Sequence, residues 1–304
     1  MVVAQYLLTF REVLEAALLS AIILAFLAKT GRAAMTRYAW YGVYGATAGS
    51  FAVGAGILVL YGQLSTATRI LFEGVAALAA VAVLTSMIYW MAVRGRSMRQ
   101  EIEGRVEAAA TQRALVGVAS VTFVLVFREG LETVLFLTPF LVQDAALTIL
   151  GAALGLGAGI VLAYAVFRVG LKLDIRRFFY FTSVLLVLLG GGLLGYGVHE
   201  LVEYAEDFGG ANLGWWSSSA FNLGLPESDP LHNKGVIGSI FAVMFGYDTD
   251  PEWARVVTHA AYLAVALPLV ILIYRRPEAV ARVARRLRAL FRADGKTSTA
   301  PLER

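Results

Sequence analysis

Apolar residues along this chain are gathered into long runs separated by short polar connections. Seven stretches, near 4–28, 38–61, 70–92, 116–141, 146–167, 178–202 and 256–274, are each about 19 to 26 mostly apolar residues. At 1.5 Å per helical residue each can cross a hydrocarbon core about 30 Å thick. The pattern predicts an all-α integral membrane protein with seven transmembrane helices. Between the sixth and seventh runs, residues 203–255 hold Trp215, Trp216, three prolines and several glycines and read as an external loop. Within it Val236 to Phe245 is an apolar decamer, short enough for an interfacial or re-entrant piece.

Composition agrees with the pattern. The chain has 304 residues, 59% hydrophobic and only 16% charged, with a mean hydropathy of +0.70, outside the usual globular balance. It has no cysteine, so any metal must be held by oxygen or imidazole, which favours hard cations. The first run lacks a preceding basic segment and a small-residue cleavage site, and is expected to stay in the protein as a span.

Charge sets the expected orientation. Lys and Arg number three in residues 29–37, five in 93–115, four in 168–177 and nine after residue 274, whereas the opposite side holds only Arg69, Lys234 and Arg255. The positive-inside rule then places the N-terminus outside and the C-terminus in the cytoplasm, as an odd number of spans requires. The outer side collects acids instead, among them Asp144, Glu203, Glu206, Asp207, Asp248 and Glu252, a field that concentrates cations. The net charge of +4 is thus mostly a cytoplasmic basic surface facing anionic lipid, and no nucleic-acid partner is expected. In the tail, Val280, Val283, Leu287, Leu290 and Phe291 recur at helical spacing among arginines, the pattern of a helix lying on the inner leaflet.

The first three runs resemble the next three. Run 1 carries Phe-Arg-Glu-Val-Leu-Glu and run 4 Phe-Arg-Glu-Gly-Leu-Glu; run 2 has Gly45 and Gly49, and run 5 has Gly151, Gly155 and Gly159 at the same spacing. Three spans per unit start the second copy on the opposite face, giving two inverted three-helix repeats plus a seventh helix. The expected division is a first repeat at 1–92, a cytoplasmic loop at 93–115, a second repeat at 116–202, the external loop at 203–255, the seventh helix at 256–274 and a basic cytoplasmic tail at 275–304. The symmetry is incomplete: Glu73 near the outer end of run 3 has no acidic counterpart around Phe181.

Chemistry concentrates in the repeated motif. Residues i, i+1 and i+4 of a helix lie within about 100° of arc, so Arg11, Glu12 and Glu15 share a face, as do Arg128, Glu129 and Glu132. Each motif lies near the middle of its run, where a lone charge costs at least about 2.5 kcal/mol. Six such groups must face one another or water. Two ion-pair clusters that only set helix register are one reading. They leave four carboxylates against two guanidiniums, a surplus that a bound cation would neutralise. Fe³⁺, Fe²⁺, Mn²⁺, Ca²⁺ and Mg²⁺ all qualify on charge. Glu73, His199, Glu200 and Glu203, at the outer ends of runs 3 and 6, form a candidate entrance site for the ion. His232, His259 and the acids from Asp248 to Glu252 are expected to be structural or solvated. Transport of protons or of another divalent cation fits the same charges. A di-metal carboxylate enzyme also uses buried glutamates, but usually with His at i+3, where both motifs here have Glu.

The paired Arg-Glu-x-x-Glu motifs, with Phe72-Glu73-Gly74, the Trp90-Met-Ala-Val-Arg94 run and Phe245-Gly-Tyr247, resemble the high-affinity iron permease family, the oxidase-dependent iron transporters, over about residues 4 to 275. The resemblance implies a multi-pass permease of the cytoplasmic or plasma membrane, not an enzyme, whose transported substrate is iron and which needs no organic cofactor. By position it implies Glu12, Glu15, Glu129 and Glu132 as iron ligands, with Arg11 and Arg128 beside them. It also implies a separate ferroxidase or periplasmic iron-handling protein as partner, and relatives of the family include lead permeases.

Overall fold

A computed structural model describes residues 2–94, 98–112, 114–169, 174–233 and 235–275. Among them the structure is helical, with no strand beyond an isolated bridge between Ser219 and Glu252. The helices are α1 (Val2–Lys29), α2 (Thr36–Gly62), α3 (Thr66–Arg94), α4 (Met98–Gln112), α5 (Ala114–Gln143), α6 (Ala145–Tyr164), α7 (Ile175–Asp207), α8 (Val236–Phe245) and α9 (Trp253–Arg275). Each apolar run of the sequence is one of these helices. The segment read as a cytoplasmic loop at 93–115 contains a further helix, α4, and the apolar decamer of the external loop is α8. The amphipathic tail expected at 277–292 lies outside the described residues.

Local chemistry fixes several boundaries. The Asp144 side chain accepts from the Leu147 N–H at 3.0 Å and the Asp174 side chain from Arg177 at 3.1 Å, each satisfying an amide that a helix start leaves free. Gly246, at φ +66°, ends α8 in the left-handed region.

Among the described residues five helices, α2, α3, α6, α7 and α9, are long and apolar enough to cross a membrane. At 28 and 30 residues α1 and α5 are as long, but each carries the three charges of a motif. Outer surfaces are apolar. Tyr44, Phe51 and Leu60 of α2 and Ile149, Leu154 and Val161 of α6 are exposed, a covering suited to lipid rather than water.

The most extensive interfaces join α2 to α5, α1 to α6, α3 to α7 and α7 to α9. Exchanging α1 with α5, α2 with α6 and α3 with α7 turns the first pairing into the second and leaves the third unchanged. Glycines make these approaches close. A Cβ on Gly151 would stand 2.8 Å from the Val2 carbonyl oxygen, one on Gly155 would strike the Tyr6 carbonyl, and one on Gly159 would come within 2.7 Å of Val13. On the exchanged pair, a Cβ on Gly42 would stand 2.5 Å from the Ala119 carbonyl and one on Gly49 would be 3.0 Å from Phe127. Such contacts let backbones pack without an intervening side chain.

The main core forms where α1, α3, α5, α7 and α9 meet, around Leu8, Leu84, Phe136, Leu186, Leu189 and Val270. A second core forms where Ile102, Val106 and Ala110 of α4 meet Leu19, Ile23 and Leu27 of α1 and Val118 of α5. The motif charges lie between the two cores.

Candidate metal centre

α1 and α5 pack against each other, and the motif faces meet. Glu12, Glu15 and Glu129 each offer a carboxylate oxygen, and the three lie within 4.8 Å of one another. Oxygens on opposite sides of a hard cation, at metal–oxygen distances of about 2.0–2.4 Å, are about 4–4.8 Å apart. Small side-chain adjustments would therefore bring all three onto one ion. The group is almost dry: Arg11 and Glu12 are 1% exposed, Glu15 5% and Glu129 4%.

Arg11 holds the first motif together. Its Nη1 donates to Glu12 Oε1 at 2.7 Å, and its Nη2 lies 2.5 Å from Glu15 Oε1. The second contact is an ion pair by distance but not in hydrogen-bond geometry, and Glu15 Oε1 has no hydrogen-bond partner. The same guanidinium meets α3 through Met87 Sδ at 2.9 Å and Met91 Sδ at 3.5 Å. Thioether sulfur is a weak acceptor, so most of the compensation for this buried cation comes from the two carboxylates.

The second motif differs. Arg128 Nε donates to Glu132 Oε1 at 2.9 Å and lies 3.6 Å from Glu129 Oε1, but its side chain is 44% exposed. Its guanidinium lies over the Trp90 ring, 5.0 Å from the centroid. Glu132 stands outside the close group of three, paired with Arg128. Buried oxygens without a hydrogen-bond partner remain on Glu12, Glu15, Glu129 and Glu132. Orphaned buried carboxylate oxygens are costly unless something else meets them.

The outer residues form a second cluster. Glu73 accepts from Tyr61 at 2.5 Å and from Tyr196, so three helices are tied at one carboxylate. The neighbouring Gly74 makes this possible, since a Cβ there would meet Leu201 at 2.9 Å and the Gly197 carbonyl at 3.1 Å. His199, Glu200 and Glu203 offer ligand atoms within 4.8 Å of one another. His199 Nδ1 also meets Glu252 Oε1 at 2.6 Å, which draws into the cluster an acid that the sequence places in a solvated loop. Burial pulls the Glu252 carboxyl upward, but the hydrogen bond with His199 and the charges of His199 and Arg255 outweigh it and hold the group below the usual carboxylate range. Asp248 is occupied by Arg255 and by Asn233, whose Nδ2 donates at 2.7 Å. His232 is buried, and His259 packs against Gly191 and Gly246.

From Glu73 to Met87 is fourteen residues along α3, about 21 Å. Buried Ala77, Ala80 and Leu84 of α3, with Leu189 and Leu193 of α7, fill the interval. An apolar layer therefore separates the outer cluster from the motif charges.

Met87, Tyr61 and Tyr196 escape a reading of the sequence because each is a common residue in an apolar run. Trp90 and Met91 carried a signal through their place in the Trp90–Arg94 run.

An apolar helical bundle with a dry, carboxylate-rich centre is what a multi-pass membrane protein for cations requires. The sequence model of the iron permease FTR1 family matches residues 2–275. The chain belongs to that family, which makes it a membrane permease and not an enzyme. It is 46% identical to an uncharacterized protein of Archaeoglobus fulgidus over 266 residues, covering 88% of this chain and 93% of that one. It is 32% identical over 282 residues to the ferrous iron permease EfeU of Yersinia pestis, covering 91% and 94%. To the ferrous iron permease EfeU of Escherichia coli it is 31% identical over 265 residues, covering 86% and 92%. No solved structure matches the chain.

Proposed function

We propose that the chain imports iron across the cytoplasmic membrane, binding it at the carboxylates of the two Arg-Glu-x-x-Glu motifs. The observation that carries this reading is the convergence of Glu12, Glu15 and Glu129 within 4.8 Å, with buried oxygens of Glu12 and Glu129 left without a hydrogen-bond partner and Glu15 held, among the described residues, by Arg11 alone. A cluster serving only helix register would satisfy those oxygens or dispense with the charges. Family membership and the two EfeU relatives favour iron, and ferrous iron in particular, over the other hard cations.

In this reading Glu12, Glu15 and Glu129 are the ligands that replace the ion's water, and Glu132 is a fourth carboxylate that Arg128 releases. Arg11 neutralises the empty centre and gives up part of its hold on Glu15 when the ion arrives. All seven long helices span the membrane, the N-terminus outside, as two inverted three-helix repeats with α9 added. The exchange relation among the helix interfaces and the charge asymmetry of the connections support that arrangement. The close glycine contacts of α1 with α6 and α2 with α5 suit rigid-body rocking of one repeat against the other. Glu73, His199, Glu200, Glu203 and Glu252 receive the ion at the outer face, where a separate ferroxidase or periplasmic iron-binding protein would deliver it.

Iron uptake by cells or vesicles tests the proposal. It should collapse for Glu15→Gln and for Glu129→Gln with the protein inserted at normal level. Normal uptake by both variants would sink it, and accumulation of Mn²⁺ or Pb²⁺ in preference to iron would reassign the substrate.

A further inference from the structure

A cavity of about 60 Å³ lies against the motif carboxylates, on the side of the second core. Glu15, Arg128 and Glu129 line it together with Met98, Glu101, Ile102 and Arg105 of α4. Its acidic lining residues differ in burial. Glu15 and Glu129 are buried, Glu129 with an oxygen lacking a hydrogen-bond partner, whereas Glu101 and Arg105 are exposed to solvent. The space thus leads from the dry carboxylates to a charged mouth on α4. In the other direction Ala80, Leu84 and Leu189 close the route towards the outer cluster.

We infer that the ion leaves the motif centre beneath α4, with Glu101 as its next carboxylate ligand and Arg105 balancing the mouth when no ion is there. The inference deepens the iron-permease reading and rests on it. A divalent cation leaving three carboxylates needs a nearby anionic oxygen to lower the barrier to release. Glu101 is the acid that α4 contributes to the cavity wall. The helix is held over the cavity by Ile102, Val106 and Ala110 on a small apolar patch, while Glu101 and Arg105, one turn apart, sit at the solvent edge. A modest shift of α4 would widen the mouth without disturbing the main core around Leu84 and Leu186.

The chain has no cysteine, so introduced thiols are unique. Leu19 and Ile102 both line the cavity, on α1 and α4. The Leu19→Cys, Ile102→Cys double variant joined by a short bismaleimide should lose at least tenfold in ferrous iron uptake by proteoliposomes kept reduced with ascorbate. Each single cysteine variant treated alike, and the double variant before cross-linking, should keep its uptake. Glu101→Gln should lower uptake at least fivefold and Glu101→Asp should restore most of it, while ferrous iron binding to the detergent-solubilised protein stays within twofold of the unsubstituted chain. Unchanged uptake by Glu101→Gln and Glu101→Ala beside a dead Glu15→Gln would overturn the exit route and leave the permease reading standing. Unchanged uptake by Glu15→Gln as well would remove that reading and this inference together.

Discussion

Replacing Arg11 by Gln removes a guanidinium that is 1% exposed and lies 2.7 and 2.5 Å from two carboxylates. The substitution leaves Glu12 and Glu15 facing Glu129 with only the half-exposed Arg128 as counter-charge. Breaking a buried pair by removing one partner costs about 3–5 kcal/mol, because the remaining charge is buried without compensation. At about 2 °C per kcal/mol for a chain of this size, the apparent melting temperature of the detergent-solubilised protein should fall by roughly 6–10 °C. Arg128→Gln removes a side chain that is 44% exposed, where solvent screens the pair, so its cost should stay near or below about 1 kcal/mol. A cation bound between the carboxylates should restore much of the loss. At a hundred times its dissociation constant, ferrous iron would return about 2.7 kcal/mol. The assay is a thermal melt of the three proteins with and without ferrous iron under anaerobic conditions. The reasoning is refuted if Arg11→Gln melts with the unsubstituted protein, if Arg128→Gln is as damaging, or if iron rescues neither.

Further outcomes follow from the same geometry. Gly155→Leu places a side chain against the Tyr6 carbonyl and Thr9 and should cost about 1–3 kcal/mol or more by forcing α1 from α6, visible as reduced folded yield; Gly56→Leu, at a position where a Cβ would meet nothing within 4 Å, should not. Glu129→Gln should weaken ferrous iron binding in equilibrium dialysis more than Glu132→Gln, since only Glu129 joins the close group of three. Glu252→Gln should lower the apparent melting temperature by about 0.5–1 kcal/mol equivalent after solvent screening, by freeing His199. Because the folded pKa of Glu252 is depressed, that difference should be present at about pH 6 and close as pH falls through the depressed value, below the ordinary carboxylate range near about 4.3. A gap that instead opened on acidification would contradict the assigned sign.

The helices were legible because each long apolar run has one economical solution, a helix, and because lipid-facing and core-facing residues are alike apolar. That likeness hides which face packs where. Nothing in the Ala-rich sequence of α3 says that Met87 and Met91 meet Arg11 while Tyr89 points outward. The motif residues stood out through their charge, and the glycine spacing of α6 foretold close packing on a neighbour, which the fold makes α1. Two motifs with matching strings nevertheless have unequal environments, Arg11 sealed and Arg128 half open over Trp90. The asymmetry comes from what α3 and α4 bring to each side, and these have no repeated signature. Glu252 was misleading for a related reason: neighbouring acids in a loop look solvated until the fold brings His199 within 2.6 Å of one of them.

The most direct test of the central claim is an anomalous-scattering map at the iron edge from the protein loaded with ferrous iron. The account predicts a peak between Glu12, Glu15 and Glu129, at bonding distance from a carboxylate oxygen of each, with Arg11 drawn away from Glu15. A fully loaded protein whose iron lies only at His199, Glu203 and Glu252, with Arg11 still bridging Glu12 and Glu15, would contradict it.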